Sequence, residues 1–267
     1  MDNRPIGIFD SGVGGLTVVK EVMNQLKNES IIYFGDTARV PYGSKSKHTV
    51  TKFSAQIIRF LLEQDVKAII IACNTVNSNC IDELRELFPN VLIEGVVESG
   101  VKMAIDATSN NKIGVIGTEA TISSGKYPEL IKQSLANSEV FVKSCPLFVP
   151  LVEEGWLHHE VTRLVAKEYL ESLLNKQIDT LILGCTHYPI IQDSLQQVVG
   201  EHVKLINPAD ETARFVGTLL IKHNLQSNNK ANYEFFVSDH VRQVQQMAEM
   251  FLGYPIHQVK KIEIEKY

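Results

Sequence analysis

The sequence predicts an α/β fold of two pseudo-symmetric α/β lobes with parallel-type sheets flanked by helices, and an active site in the cleft between them. Three observations carry this expectation. Short, β-branched apolar runs alternate with helical periodicities along most of the chain, which is the pattern of βα units feeding a parallel sheet. Two cysteines occupy nearly matching frames, one apolar run leading into Ala72-Cys73-Asn74-Thr75 and another into Gly184-Cys185-Thr186-His187; a repeated frame of this kind points to an internal duplication. The length of 267 residues lies where single cores stop growing and a second lobe is expected.

The first strand falls at residues 6–9, and residues 31–34, 68–72 and 91–93 supply the next three. These runs are short and almost wholly apolar, so they are expected to be buried on both faces of a sheet. The helix over 16–26 collects Leu16, Val19, Val22 and Leu26 on one side, and that over 49–64 collects Phe53, Ile57, Phe60 and Leu61. A third helix covers 76–88. After Glu98 the alternation restarts, with strands at 113–116, 140–142, 180–184 and 203–206 and helices at 127–135, 159–174 and 190–198. A helix over 211–223 leads to Gln226-Ser227-Asn228-Asn229-Lys230, a surface loop by composition. The strand at 233–237, the amphipathic stretch after Asp239 and the tail with Val259, Ile262 and Ile264 rejoin the first lobe. The expected division is therefore 1–97 with 208–267 for the first lobe and 98–207 for the second.

Composition narrows the function. A chain 44% hydrophobic and 21% charged is ordinary for a globular protein, and no apolar run approaches the ~18 residues of a membrane span. Met1-Asp2-Asn3-Arg4-Pro5 leads into the first strand without the apolar core of a secretory signal, so a cytoplasmic location is expected and no membrane partner. A net charge of −5, a pI near 5.9 and no Lys/Arg stripe argue against nucleic acid. Cys73, Cys80, Cys145 and Cys185 form no C-x-x-C pair, which favours free thiols. Cys185 with His187 is the sole close pair of metal-ligand types, too few for a metal site.

Cys73 and Cys185 both end strands, where open α/β sheets border their ligand crevice. Each precedes an expected helix, whose N-terminus lowers a thiol pKa. Two such thiols can face one small molecule from opposite lobes. The plainer alternative, a small buried hydrophobe, is accepted for Cys80 and Cys145. Asn74-Thr75 and Thr186-His187 offer donors for a carboxylate, a role compatible with Thr75 also capping its helix. Asp10-Ser11-Gly12-Val13-Gly14-Gly15 matches neither dinucleotide nor Walker spacing. Asp10 would repel phosphate, yet it suits an ammonium group or the proton of a nearby thiol. The stretch from Gly35-Asp36-Thr37 to Pro41-Tyr42-Gly43-Ser44 is either a solvated turn or a loop projecting at the same sheet edge. Within Pro150-Leu151-Val152-Glu153-Glu154-Gly155, one acid can enter a cleft while the other stays solvated, unless both simply start a helix.

Taken together, Gly7-Ile8-Phe9-Asp10-Ser11-Gly12-Val13-Gly14-Gly15-Leu16, Gly35-Asp36-Thr37 with Pro41-Tyr42-Gly43, Ala72-Cys73-Asn74-Thr75, the stretch from Cys145-Pro146 to Val152-Glu153, and Gly184-Cys185-Thr186-His187-Tyr188-Pro189 resemble the glutamate racemase family of the aspartate/glutamate racemase superfamily. The motifs run in the same order, cover nearly the whole chain and show no departure. The resemblance implies a cofactor-independent isomerase whose two lobes close over L- or D-glutamate, with Cys73 and Cys185 as the two bases. It implies that Asp10 assists near Cys73 and that Glu153 and His187 assist near Cys185. Asp10, Ser11, Tyr42, Gly43, Asn74, Thr75, Thr186, Thr118 and Thr121 would bind substrate. It further implies a homodimer that supplies D-glutamate for peptidoglycan in the bacterial cytoplasm.

Elementary chemistry agrees. Inverting an α-carbon without an electron sink requires a base on one face and an acid on the other, a task for two residues of one type. The α-proton is far less acidic than a thiol, so hydrogen bonds to the carboxylate in a dry cleft must stabilise the carbanion, and lobe closure would exclude water. A cysteine hydrolase built on Cys185 and His187 leaves Cys73 without a task. Racemisation of aspartate or a hydantoin shares the two-cysteine logic, but the Asp-Ser-Gly-Val-Gly-Gly motif favours glutamate. A two-lobed solute binder would carry a secretory leader. A thiol phosphatase would require an Arg where Asn79 or Ile191 stands.

Overall fold

A computed structural model describes residues 1–256 and 258–267. The chain begins with β1 (Ile6–Asp10), α1 (Leu16–Gln25), β2 (Ile31–Gly35), α2 (Lys47–Glu63), β3 (Ala68–Ile71), α3 (Asn74–Leu87) and β4 (Leu92–Gly95). Helix α4 (Val97–Ala107) leads to β5 (Lys112–Gly117), α5 (Glu119–Ser123), α6 (Lys126–Ser134), β6 (Glu139–Ser144), α7 (Phe148–Glu153), α8 (Glu160–Leu174) and β7 (Thr180–Gly184). A 3-10 turn at Tyr188–Ile191, α9 (Gln192–Val199) and β8 (Lys204–Ile206) follow. The chain ends with α10 (Pro208–Lys222), β9 (Tyr233–Val237), α11 (Val241–Leu252), β10 (Val259–Lys261) and a 3-10 turn at Ile264–Lys266.

The strands form two sheets, in the orders β10-β9-β2-β1-β3-β4 and β6-β5-β7-β8, and all of the pairings are parallel. The order β2-β1-β3-β4 recurs as β6-β5-β7-β8. Under that repeat β3 corresponds to β7, so Cys73 and Cys185 leave equivalent strands.

Burial on both faces follows from the two-residue period of a strand. Ile6, Ile8, Ile31, Tyr33, Ala68 and Ile70 pack with α1, α10 and α11, whereas Phe9, Ile32, Phe34, Ile69 and Ile71 pack with α2 and α3. In the second sheet Ile113, Val115 and Ile182 face α4 and α6, while Leu181 and Leu183 face α8 and α9. One apolar cluster runs continuously from α1 and α10 into α8 and α9, so the lobes share a core as well as a cleft. Local signals set the helix starts. The Ser46 side chain accepts from Thr49 N to cap α2, and Asn207 accepts from Ala209 N ahead of Pro208 to start α10. Among the described residues no helix is long and apolar enough to cross a membrane.

Four helices depart from the sequence expectation. Helices α5 and α7 span five and six residues, too few for an apolar period to register. Helix α4 carries Ser99 and Gly100 within its span, which weakens a helical pattern; yet a Cβ at Gly100 would lie 2.9 Å from Pro208 Cγ, so the glycine lets α10 approach. The stretch expected as one helix from 190 begins instead as the 3-10 turn containing Pro189. In the tail, Val259 lies in β10, whereas Ile264 is buried beneath α2 in a 3-10 turn.

At the amino-terminal end of the first sheet, away from the cysteines, Lys67 and Glu29 form a buried pair, Nζ to Oε2 2.5 Å. Lys67 Nζ also donates to Asp2 O at 2.7 Å, and Glu29 Oε1 accepts from Ser227 N at 2.8 Å. Removing one partner strands the other charge, so Lys67→Met is expected to lower the unfolding free energy by about 3–5 kcal/mol. The double change Lys67→Met/Glu29→Leu should recover most of that loss in urea titrations. A double variant as unstable as the sum of the single ones would contradict the pairing.

Candidate active site

Each thiol is delivered by the end of a buried strand. Cys73 follows β3 after one intervening residue, in an extended conformation, and is the N-cap residue of α3; Cys185 directly follows β7. Both are buried, and both line one cavity of about 40 Å³, with Ser11, Tyr42, Gly43, Asn74, Thr75, Thr118, Thr186 and His187. One thiol thus comes from each sheet. Outside lies an apolar vestibule of about 560 Å³. The two spaces share Val40, Pro41, Gly43, Thr118 and Val149 as walls. Val40 and Val149 escaped the sequence reading because apolar side chains carry no chemical signal of a site.

Asp10, Thr121 and Glu153 do not line the inner cavity; they stand behind residues that do. The Oδ2 of Asp10 accepts from Gly12 N at 3.2 Å and Gly15 N at 3.0 Å, while its buried Oδ1 has no hydrogen-bond partner among the described residues. Thr121, Thr118 and Thr75 share hydroxyl contacts across the lobes: Thr75 to Thr118 at 2.9 Å, Thr118 to Thr121 at 3.0 Å and Thr75 to Thr121 at 3.4 Å. Glu153 Oε1 lies 3.1 Å from His187 Nε2, and His187 Nδ1 lies 4.0 Å from Cys185 Sγ. Glu154, its neighbour, is exposed.

The glycine-rich turn after β1 serves close approach between lobes. A side chain at Gly14 would collide with Thr186 Oγ1 and His187 Nδ1. The loop from Gly35 to Ser44 is organised by a buried carboxylate, which rules out a wholly solvated turn: Asp36 accepts from the Tyr42 hydroxyl, from Arg39 Nε at 2.7 Å and from Ser238 Oγ at 2.8 Å. Tyr42 is thereby fixed against the cavity.

Three expectations are corrected. Thr75 does not cap α3, because Cys73 occupies that position; the Thr75 hydroxyl is engaged by Thr118 instead. Cys185 does not sit at an α-helix N-terminus, since only the single 3-10 turn led by His187 follows it. The Cys73 pKa is raised, to about 12, by burial and then by the charge of Asp10; the Ser11 hydroxyl 3.5 Å away and the Val76 N–H offset only part of this. Burial likewise raises the Asp10 carboxyl against the pull of His187 and the glycine N–H groups. At His187 burial opposes the charge, but Cys185 and Glu153 outweigh it and draw the imidazole up to about 10. Cys73 is therefore a neutral thiol near pH 7, while the Cys185 side of the cavity carries a cation.

Cys80 and Cys145 do not line the cavity and contact backbone carbonyls, of Lys47 at 3.8 Å and Lys143 at 3.7 Å. Among the described residues no group of three or more His, Cys, Asp or Glu side chains could hold a metal ion. What the cavity offers is two thiols, one from each sheet, among lining hydroxyl and amide groups.

The family model for Asp/Glu/hydantoin racemases matches residues 6–216. A glutamate racemase of Neisseria meningitidis serogroup A is 46% identical over 263 residues, covering 98% of this chain and 97% of that protein. The crystal structure of the Francisella tularensis glutamate racemase in complex with D-glutamate has a TM-score of 0.94 at 43% identity, over 100% of both chains. The Thermus thermophilus glutamate racemase in complex with β-chloro-D-alanine has a TM-score of 0.90 at 40% identity, again over 100% of both chains.

The raised Cys73 pKa can be read directly. Alkylation of Cys73 by iodoacetamide, followed by mass spectrometry, should remain slow near neutrality and climb as pH nears about 12. Asp10→Asn removes the opposing charge and should move the profile to lower pH. A wild-type profile that levels off near pH 8 would contradict this picture.

Proposed function

This chain belongs to the Asp/Glu/hydantoin racemase family, and on that premise we propose that it interconverts L-glutamate and D-glutamate without a cofactor, using Cys73 and Cys185 as paired acid and base. The observation that carries this assignment is one cavity lined by two thiols that leave equivalent strands of the repeated β2-β1-β3-β4 and β6-β5-β7-β8 orders. The choice of glutamate draws on the relatives, which bear that substrate in their names across nearly their whole length.

In the proposed reaction a thiolate on one face takes the α-proton. The C–H electron pair passes into an enediolate-like carbanion, and the thiol on the opposite face protonates it. One S–H bond forms as one C–H breaks, then the reverse occurs on the other face, so each turnover exchanges the protonation states of the two sulfurs. Cys73, held neutral by burial and Asp10, is the donor in the direction that starts with Cys185 as base. The charged pair His187–Glu153 holds Cys185 in place and relays its proton. Asp10, behind Cys73, keeps that thiol protonated; Ser11, Asn74, Thr75 and Thr186 serve the substrate carboxylates, with Tyr42 and Gly43 as walls. Thr118 and Thr121 fix the Thr75 hydroxyl. Such donors act most strongly in a site closed to water.

Sheet membership supports the proposed lobe division, 1–97 with 208–267 in the first lobe and 98–207 in the second. A cytoplasmic setting is supported by four buried free thiols, which suit a reducing compartment. Homodimer formation and supply of D-glutamate to peptidoglycan complete the proposal and draw on the family resemblance.

The deciding experiment follows optical rotation and α-deuterium uptake of L-glutamate in deuterium oxide. Wild-type protein should bring the rotation to zero and incorporate deuterium without added cofactor. Cys73→Ala and Cys185→Ala should each lower turnover by roughly 10²–10⁴-fold, as expected for loss of one acid–base partner. Unchanged rotation with wild-type protein would reject the activity, and full turnover in both variants would reject the two-thiol mechanism.

A further inference from the structure

One side chain outside the residues assigned above touches both cysteine-bearing segments. Tyr127, in the first turn of α6, is 1% exposed, and its ring belongs to the second lobe's core with Val97, Ile113, Val115 and Ile182. That ring lies against the residue that precedes Cys185: a Cβ at Gly184 would be 3.3 Å from Tyr127 Cε2. Its hydroxyl leaves the second lobe and donates to Oδ1 of Asn74 at 2.7 Å, and Asn74 is the residue that follows Cys73. Among the described residues the Asn74 side chain makes no other hydrogen bond, although it is 4% exposed and lines the inner cavity.

An asparagine amide has an acceptor on one prong and two donors on the other. A phenol that engages the acceptor leaves the NH₂ group for the opposite side, where the cavity lies. Burial pushes the Tyr127 phenol well above its ordinary pKa, so it remains an O–H donor at any pH the protein survives.

We propose that Tyr127 is a positioning residue, which turns the Asn74 NH₂ toward the substrate carboxylate and gauges the separation of the Cys73 and Cys185 segments through its contacts with Asn74 and Gly184. This inference rests on the racemase assignment above. It extends the site by a residue from the second lobe whose effect on the reaction passes through Asn74. The ring is anchored in one lobe and the hydroxyl is spent on the other, so the hydrogen bond forms only when the two segments are at their working distance.

The test is a double-mutant cycle. Racemisation kinetics in both directions and thermal melting are measured for wild type, Tyr127→Phe, Asn74→Ala and the double variant. Tyr127→Phe keeps the ring against Gly184 and loses the hydroxyl alone. It should lower kcat/KM about tenfold, the equivalent of one hydrogen bond, with KM rising and the melting temperature nearly unchanged. In the Asn74→Ala background the same change should have no further effect on kcat/KM. Asn74→Asp keeps the acceptor for Tyr127 and discards the NH₂, so it should melt like wild type yet bind glutamate more weakly. The inference is overturned if Tyr127→Phe matches an active wild type, if the two losses multiply in the double variant, or if Asn74→Asp retains the wild-type KM. A wild type that leaves glutamate rotation unchanged would remove the racemase assignment and this inference together; the other outcomes leave the assignment standing.

Discussion

The organising constraint is that two sulfur atoms from equivalent strands must border one small space, although neither lobe forms that space alone. Everything nearby serves the approach of the lobes. Gly14 is bare because a side chain would meet Thr186 and His187. Thr17 Oγ1 donates to Thr186 O at 3.2 Å, Thr75 meets Thr118 at 2.9 Å, and Tyr127 meets Asn74 at 2.7 Å. These are polar contacts between lobes at buried or nearly buried positions, where a lost partner costs more than a formed bond contributes. The apolar cluster shared by α1, α10, α8 and α9 supplies the bulk of the attraction, and the polar contacts set the distance.

The backbone repeats, but the electrostatics do not. Cys73 has a buried carboxylate behind it and Cys185 has an imidazole, itself backed by Glu153. The magnitudes explain why Cys73 defies its position at the start of α3. A helix N-terminus contributes about 0.3–1 kcal/mol, up to ~2 when partly buried, whereas full burial can shift a group by as much as 3–5 pKa units, at about 1.4 kcal/mol each. Desolvation wins, and Asp10 adds to it. The helix N-terminus after Cys73 therefore does not ionise the thiol, and its backbone donors stay available to an anion in the proposed reaction.

Much of this was legible in the sequence because parallel strands advertise themselves. The runs ending at Phe9, Phe34, Ala72 and Gly184 are apolar on both faces, and in a doubly wound sheet the residues that follow such runs border the crevice. That logic pointed to Cys73, Asn74, Thr75, Cys185, Thr186 and His187 and put the segments of Ser11, Tyr42 and Gly43 at the same edge, whereas Thr118 came from the family resemblance alone. What it missed has physical reasons. Helices α5 and α7 are shorter than two turns, and Gly100 hides α4 by the very feature that lets it pack against Pro208. Val40 and Val149 look like any core valine. Tyr127 looks like a helical core residue, and in its ring it is one; only the partner of its hydroxyl, 53 positions away in sequence, reveals the second task. The capping role expected of Thr75 failed because the helix begins two residues earlier than composition suggests, so that Cys73 itself takes the cap position.

Unequal surroundings for two equivalent thiols raise the question of whether they bias the proposed reaction. They cannot bias its end point. L- and D-glutamate are mirror images with equal free energies in water, so the equilibrium constant is one and kcat/KM must be the same in both directions, whatever the enzyme does. Asp10 behind Cys73 and the His187–Glu153 pair behind Cys185 can act only on how that common ratio divides. A direction that begins from the favoured protonation state meets a ready enzyme and binds its substrate well. The opposite direction must draw on the minor state, and its apparent affinity falls by the fraction of enzyme in that state. With equal kcat/KM, a weaker apparent affinity is accompanied by a proportionately higher kcat. The Cys73 thiol, held up at about 12, makes the form with Cys73 protonated the prevalent one. In the proposed two-thiol reaction the enantiomer that uses Cys185 as base would accordingly be the one with the lower KM and the lower kcat, and the electrostatic asymmetry of the cleft would become a kinetic asymmetry without altering the racemic outcome.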